Sequence, residues 1–305
     1  IPPIRIRDNI QLKPHEYIVI IKGVQKTSGE LRPGRLLALD PGTAEDKLEG
    51  EEVMEPAFGL PAVWIAESQK ERAEILGYTV VEAVAVMTTH VLEVLKANAH
   101  LILTRQDVHE LLENLKKDQP VLVEELVPNV LSLGAVENVL KNLLQERVSI
   151  RNLSTIVETL ADYGTMTKDV ITLTEYVRQA LSETIIRPYL DDDNTVRAIT
   201  LGPEVEELLR KSLQEMQKGG VPPGGEGVAM PPEILERLYT NLSQEVEKMI
   251  NTGYQSILVT PPELRAYFRR IVANVLPSLI ILSYGEIPAY VKIDSVGRVR
   301  LTNDS

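Results

Sequence analysis

At 305 residues the chain exceeds what one hydrophobic core ordinarily organises, since single cores stop growing at about 250–300 residues, so several subdomains are expected. A formal charge of −12 disfavours nucleic acid and anionic lipid as partners, because both are bound by clustered Lys and Arg. The absence of cysteine excludes disulfides, thiolate nucleophiles and Cys-ligated zinc, and only 4% of residues are aromatic, so Trp64, Phe58 and Phe268 stand out against a core of Leu, Val, Ile and Ala.

Tyr17 to Ile21 is a continuous apolar, mostly β-branched run ending at Lys22-Gly23, which predicts a strand buried on both faces. Arg35 to Leu39 and Ala62 to Ile65 read as strands bounded by Pro and Gly. Glu67 to Leu76 is helical in composition and stops at Gly77; Thr79 to Val81 then reads as a strand leading into a helix from Glu82 to about Ala97. The first third is therefore α/β. From Arg105 to Leu181 apolar residues recur three and four apart, as in Val136, Val139, Leu140 and Leu143, which predicts an all-helical unit. Its breaks fall at Asp118-Gln119-Pro120, Val127-Pro128-Asn129 and Tyr163-Gly164.

A second α/β region follows. Thr195 to Ile199, Ser256 to Val259, Leu279 to Leu282 and Tyr290 to Ile293 are strand-like. Between them lie helices from Pro203 to about Lys218, from about Pro231 to Ile250, and one opened by Pro261-Pro262-Glu263. Gly219 to Pro232 reads as a mobile loop, and Ile185 to Asn194, with its Pro and acidic turn, as a hinge between the helical and second α/β parts. No apolar run approaches the ~18 residues that span a bilayer.

Chemistry-bearing patterns are scarce. The Gly-rich stretch Gly219 to Gly227 lacks the Lys and hydroxyl of a phosphate loop. None of the four histidines forms the paired helical spacing of a zinc site, and His90 is expected to be a partly buried side chain bonded to backbone. Asp191-Asp192-Asp193 lacks the surrounding oxygens of a cation loop and reads as a solvated turn. Two of the 44 acids converging as a hydrolytic pair remains open as an alternative.

Glu55-Pro56-Ala57-Phe58-Gly59-Leu60-Pro61 spends one of two phenylalanines on a Pro/Gly loop entering a strand. Two readings stand: Phe58 caps the loop's own core, or it is an exposed aromatic anchor. This segment occurs with Ile6-Arg7-Asp8-Asn9, Lys22-Gly23-Val24, Pro33-Gly34-Arg35, Thr79-Val80-Val81-Glu82-Ala83, Thr89-His90, Leu126-Val127-Pro128 and Ile150-Arg151-Asn152-Leu153-Ser154-Thr155-Ile156. In that order and spacing the motifs resemble the FlhA (FHIPEP) family of flagellar type III secretion export gates, from Ile1 to about Leu181 and more weakly beyond. The gate proteins of virulence injectisomes share the architecture, but the Arg-Asp-Asn and Pro-Ala-Phe-Gly-Leu segments look more flagellar.

The resemblance implies a multi-subdomain α/β plus α fold. A first α/β subdomain (1–33 and 83–102) carries an inserted α/β subdomain (34–82), followed by an all-helical subdomain (103–182) and a C-terminal α/β subdomain (183–305). It implies the soluble part of a longer protein anchored in the bacterial plasma membrane, lying on the cytoplasmic face and assembling as a nonameric ring; a start without Met fits such a fragment. The implied role is a docking platform that orders export, not an enzyme, needing no cofactor or metal. Its partners would be flagellar export chaperones with their late substrates and other export-apparatus components, including the ATPase complex. The chaperone–cargo complexes would enter a shallow apolar depression between the first two subdomains. Carried onto this sequence, the family's acidic, phenylalanine and threonine positions match Glu55, Phe58 and Thr89, with Pro56 and Leu60 as neighbours. The family often has Asp where this chain has Glu55. A hydrolase with an unrecognised carboxylate pair and the gate of a virulence injectisome are the alternatives.

Overall fold

The computed structural model describes residues 4–40, 42, 44, 46–218 and 230–301, so most of the expected loop from Gly219 to Pro232 lies outside the described residues. The chain divides into two compact units, one formed by Ile1–Asp107 with Leu144–Arg147 and the other by Val108–Leu143 with Val148–Ser305.

In the first unit, β1 (Glu16–Ile21) and β2 (Val24–Glu30) form an antiparallel hairpin whose turn places Lys22 and Gly23 at φ 51° and 80°, the left-handed pair that suits right-twisted strands. β1 is not buried on both faces: Ile20 is 55% exposed, because a two-stranded ribbon has no second layer over its outer face. β2 reads Val-Gln-Lys-Thr-Ser-Gly-Glu and carries no apolar alternation, so only its partner makes it a strand.

A four-stranded antiparallel sheet follows, built from β3 (Arg35–Leu39), β4 (Glu51–Met54), β5 (Pro61–Ala66) and β6 (Thr79–Glu82) in the order β4-β5-β3-β6. Successive residues of β5 serve opposite faces. Trp64 packs with Leu37, Ala62 and Val86, while Val63 and Ile65 pack with Ala38, Leu48, Ala73 and Tyr78. Val86 comes from α2 (Ala83–Ala97) and Ala73 from α1 (Lys70–Ile75), so a helix contributes to the packing on each face. The predicted helix from Glu67 to Leu76 begins as a 3₁₀ turn over Glu67–Gln69 before α1. A short α3 (Ala99–Ile102) ends the α/β series.

The helical series comprises α4 (Arg105–Lys116), α5 (Pro120–Glu124), α6 (Leu133–Gln145), α7 (Leu153–Gly164), α8 (Val170–Ala180) and α9 (Ser182–Ile186). Its predicted stripes are its core: Val108, Val136, Val139, Leu140 and Leu143 have no exposed surface. The break at Val127 is a genuine departure from helical backbone, with φ −121° and ψ 123°. Asn152 and Asp169 cap α7 and α8 by accepting from the backbone N–H of Thr155 and Thr172.

The second unit also holds an all-parallel sheet of order β10-β7-β8-β9, from β7 (Thr195–Leu201), β8 (Ile257–Thr260), β9 (Ile280–Ser283) and β10 (Lys292–Val299). Two helices, α10 (Pro203–Lys218) and α11 (Pro232–Asn251), lie between β7 and β8 in sequence, and α12 (Pro262–Val272) links β8 to β9, as parallel pairing requires. Two ion pairs buried at their basic ends tie the helical series to this sheet. Arg265 of α12 pairs with Glu175 of α8, and Arg178 of α8 lies 2.6 Å from Glu286, just past β9. Both cross the junction from Ile185 to Asn194 that was expected to act as a hinge. Separating either pair would strand a buried charge at a cost of several kcal/mol (~3–5), which opposes independent motion there. The acidic turn is structural too: Asp191 accepts from the N–H of Asp193 and Thr195 and pairs with Arg197 at 2.7 Å.

Candidate protein-docking site

Between β4 and β5 the chain turns through Glu55 to Leu60. The N–H of Glu55 donates to the Leu60 carbonyl at 2.8 Å and that of Gly59 donates to the Glu55 carbonyl at 2.9 Å, with Gly59 at φ 68°, where a side chain would be strained. The Glu55 side chain folds back into this loop and is only 4% exposed. Its Oε1 accepts from the Ala57 N–H at 2.9 Å and its Oε2 from the Phe58 N–H at 2.7 Å. Both oxygens of the longer acid are therefore used, one on each amide. A carboxylate accepting backbone N–H groups forms the stronger class of hydrogen bond, so the loop is held from beneath.

What the loop presents outward is apolar. Phe58 is 61% exposed and Leu60 44%, Pro56 is exposed, and Met54 at the end of β4 is 63% exposed. The Phe58 ring does not cap a core. Met54 and Pro61, at the two ends of the loop, also line a cavity of about 390 Å³ with Leu48, Val53 and Tyr78, whose rim carries Asp40, Lys47 and Glu52.

Thr89 lies on α2, half-buried, on the turn that buries Val86 and His90. His90 bonds to side chains and not to backbone as expected: its Nδ1 is 2.7 Å from the Tyr17 hydroxyl and its Nε2 is 3.2 Å from the Thr27 hydroxyl. The Tyr17 ring meets the imidazole edge-on at 5.8 Å. Gly29, opposite Tyr17 in the hairpin, leaves room for that ring, which a Cβ at Gly29 would strike. Burial pushes the Tyr17 hydroxyl up to about 12, with a further contribution from the Glu55 charge. Burial likewise lowers the His90 imidazole below its ordinary value, and the Glu55 charge opposes it. The loop carboxylate thus acts electrostatically on both residues. Tyr17, Thr27 and His90 were not singled out from the sequence as site residues, and their separations of 63 and 73 positions leave no local signal.

Nothing among the described residues forms a group of three or more potential metal ligands. The most buried carboxylates are bonded into the structure. Glu55 holds amides, Glu137 pairs with Lys141 at 2.6 Å, and Glu286 caps Ser283 and pairs with Arg178. Burial pushes the Glu175 carboxyl up, and its partner Arg265 works against that.

Residues 1–292 match the FHIPEP family. The chain belongs to the FHIPEP family. It is 41% identical to the flagellar biosynthesis protein FlhA of Bacillus subtilis over 98% of its own length and 43% of that protein, so this FHIPEP chain spans less than half of the curated relative. Among solved structures it resembles the Chlamydia pneumoniae CdsV protein in complex with CdsO, with a TM-score of 0.81 and 25% identity over 98% of this chain and 85% of that one. It also resembles the nonameric EscV cytosolic domain from a type III secretion system, with a TM-score of 0.68 and 25% identity over 90% of this chain and 80% of that one. No helix among the described residues is long and apolar enough to cross a membrane.

Proposed function

We propose that this FHIPEP chain is the cargo-docking part of a flagellar type III export gate, and that Glu55, Pro56, Phe58, Leu60 and Thr89 receive export chaperones together with their late substrates. The observation that carries the reading is the exposed Phe58 ring on a loop clamped by a buried carboxylate. An aromatic side chain held rigidly at the surface loses little conformational entropy on binding, which is how interface anchors concentrate affinity. The chain works as a platform and carries out no chemistry of its own. Its greater likeness to FlhA, at 41% identity, than to the injectisome proteins, at 25%, favours the flagellar system over a virulence injectisome. A nonameric ring on the cytoplasmic side of the membrane, and contact with further export components, follow by analogy with the nonameric EscV domain and the CdsV–CdsO complex.

The test is capture of purified flagellar chaperones, with and without their cargo, by the wild-type chain and by Phe58→Ala. Capture of the loaded chaperone by wild type and its loss in the variant is expected. Equal capture by both, or none by either, would refute the reading.

A further inference from the structure

We propose that the free edge of β4 receives an added strand: an extended segment of the docked partner, with Lys or Arg flanking an apolar residue, pairs along it and seats that residue in the adjoining cavity. The proposal rests on the docking reading for the identity of the partner, but not for the edge itself.

The register decides which backbone groups are free. In an antiparallel pair, facing residues alternate between bonding to each other and turning their N–H and C=O outward. The Glu55 N–H donates to the Leu60 carbonyl at 2.8 Å, one step beyond the Met54–Pro61 pair, so Val53–Ala62 and Glu51–Trp64 are bonded pairs as well. Pro61 keeps to the alternation: its carbonyl turns away from β4 and accepts from the Asp40 N–H at 3.1 Å, just past β3. The N–H and C=O of Glu52 and Met54 therefore point away from β5. β4 is the outer strand of its sheet, with no strand beyond it among the described residues.

An unpaired edge is a template for another strand, and proteins blunt such edges with Lys, Pro or a bulge. β10, the outer strand of the parallel sheet, has Lys292 and a register shift between Ser295 and Gly297. β4 reads Glu-Glu-Val-Met in unbroken register and has none of these. It also runs straight into the loop that presents Phe58, so a strand added here continues the surface of the aromatic anchor. Added strands take affinity from backbone pairing and specificity from pockets for alternate side chains. The cavity of about 390 Å³, walled by Leu48, Val53, Met54 and Tyr78, borders this edge and has room for a Val or Leu side chain. Charge selects the flanks. Asp46, Glu49 and Glu52 are exposed, Glu51 is held by Arg32, and Lys47 is the one Lys or Arg within residues 46–54. Opposite charges across paired strands attract, so the positions flanking the seated residue suit Lys or Arg.

The experiment follows backbone amide exchange by NMR in the full chain on adding the acetylated peptide Lys-Val-Lys-Val-Lys-Val. The Glu52 and Met54 amides should slow about tenfold or more, while those of Glu51 and Val53, already turned to β5, keep their rates. The peptide N-methylated at every residue should slow neither, and one with Glu in place of Lys should act far more weakly. Unchanged exchange at Glu52 and Met54, or equal slowing by the N-methylated peptide, overturns the strand addition; equal slowing by the Glu peptide overturns its charge preference. In the binding arm, loaded chaperone should slow the same two amides. Met54→Pro, which removes an outward N–H and no bond to β5, should weaken its capture about tenfold while the melting temperature holds. Loaded chaperone that binds wild type yet leaves both amides in fast exchange overturns the added strand and spares the docking reading. No capture at all refutes the docking reading, and the peptide then decides the edge by itself.

Discussion

Glu55 and Glu286 are two buried glutamates with the same local task and different surroundings. Each follows a strand and caps a turn: Glu55 holds the amides of Ala57 and Phe58, and Glu286 holds the N–H and hydroxyl of Ser283 at 2.6 and 2.8 Å. Glu286 also has a guanidinium, Arg178, at 2.6 Å, whereas the bonds to the Glu55 carboxylate come from amides. The neighbours on which the Glu55 charge acts are a tyrosine and a histidine. A cation fixes the Glu286 carboxylate and ties the helical series to the parallel sheet. The Glu55 carboxylate is held by the neutral amides of a loop that presents the apolar Phe58 side chain to solvent. One region joins two parts of its unit and the other presents an exposed apolar surface.

The contrast is broken most severely at the cationic side. Arg178→Met leaves Glu286 buried without its partner and should lower stability by about 3–5 kcal/mol in chemical denaturation; adding Glu286→Gln, which removes the stranded charge, should recover part of that loss. Phe58→Ala should do the opposite, weakening capture of loaded chaperone by about 2 kcal/mol or more while the melting temperature barely moves. A fall of several degrees on Phe58→Ala would show that the ring supports its own unit. Glu55→Gln keeps one acceptor oxygen and should cost about 1 kcal/mol of stability, with weaker docking than that loss alone accounts for.

The smallest effects are in pH. The folded His90 value lies below the ordinary 6.5, so the unfolded chain binds the proton first; this stability is present above about 6.5 and is lost as pH falls through the folded value. His90→Gln should flatten that acid limb of a stability–pH curve. Tyr17 has the reverse sign, being an acid whose folded value is raised, so its contribution is present below 10.0 and is lost as pH rises to about 12. Absorbance titration should find Tyr17 among the late-ionising tyrosines, with Tyr239 and Tyr284, whose hydroxyls burial also pushes up, and Tyr17→Phe should remove one late step.

Much of the element order was legible in the residues. Strands with dense β-branched or aromatic content, such as β5 and β8, the apolar run of β3 between Pro and Gly punctuation, and helices with clear three-and-four spacing, such as α6, α10 and α11, lie within a few residues of where the pattern puts them. β2 and β4 were missed, because Val-Gln-Lys-Thr-Ser-Gly-Glu and Glu-Glu-Val-Met become strands only through the partners they pair with. β10 was expected at Tyr290 to Ile293 but runs from Lys292 to Val299: Tyr290 and Val291 precede it, and its mostly polar Asp294 to Gly297 stretch is held by pairing to β7. The loop from Glu55 to Leu60 was visible from its Pro and Gly and its costly use of a phenylalanine, but not the inward fold of Glu55 beneath it.

By itself the sequence determined the mixed α/β and helical character, the positions of the breaks and the membership of a family, since periodicity, turn residues and motif spacing are all local properties of the chain. Tertiary structure alone decided the partners of the charged and polar side chains. Glu175 meets Arg265 across 90 positions, and Tyr17 meets His90 across 73. A buried polar group must be satisfied wherever folding places it, and the group that satisfies it can come from any distance along the chain. The segment between Ile185 and Asn194 shows the same division: its Pro and its acidic turn are local, and the ion pairs that span it are not.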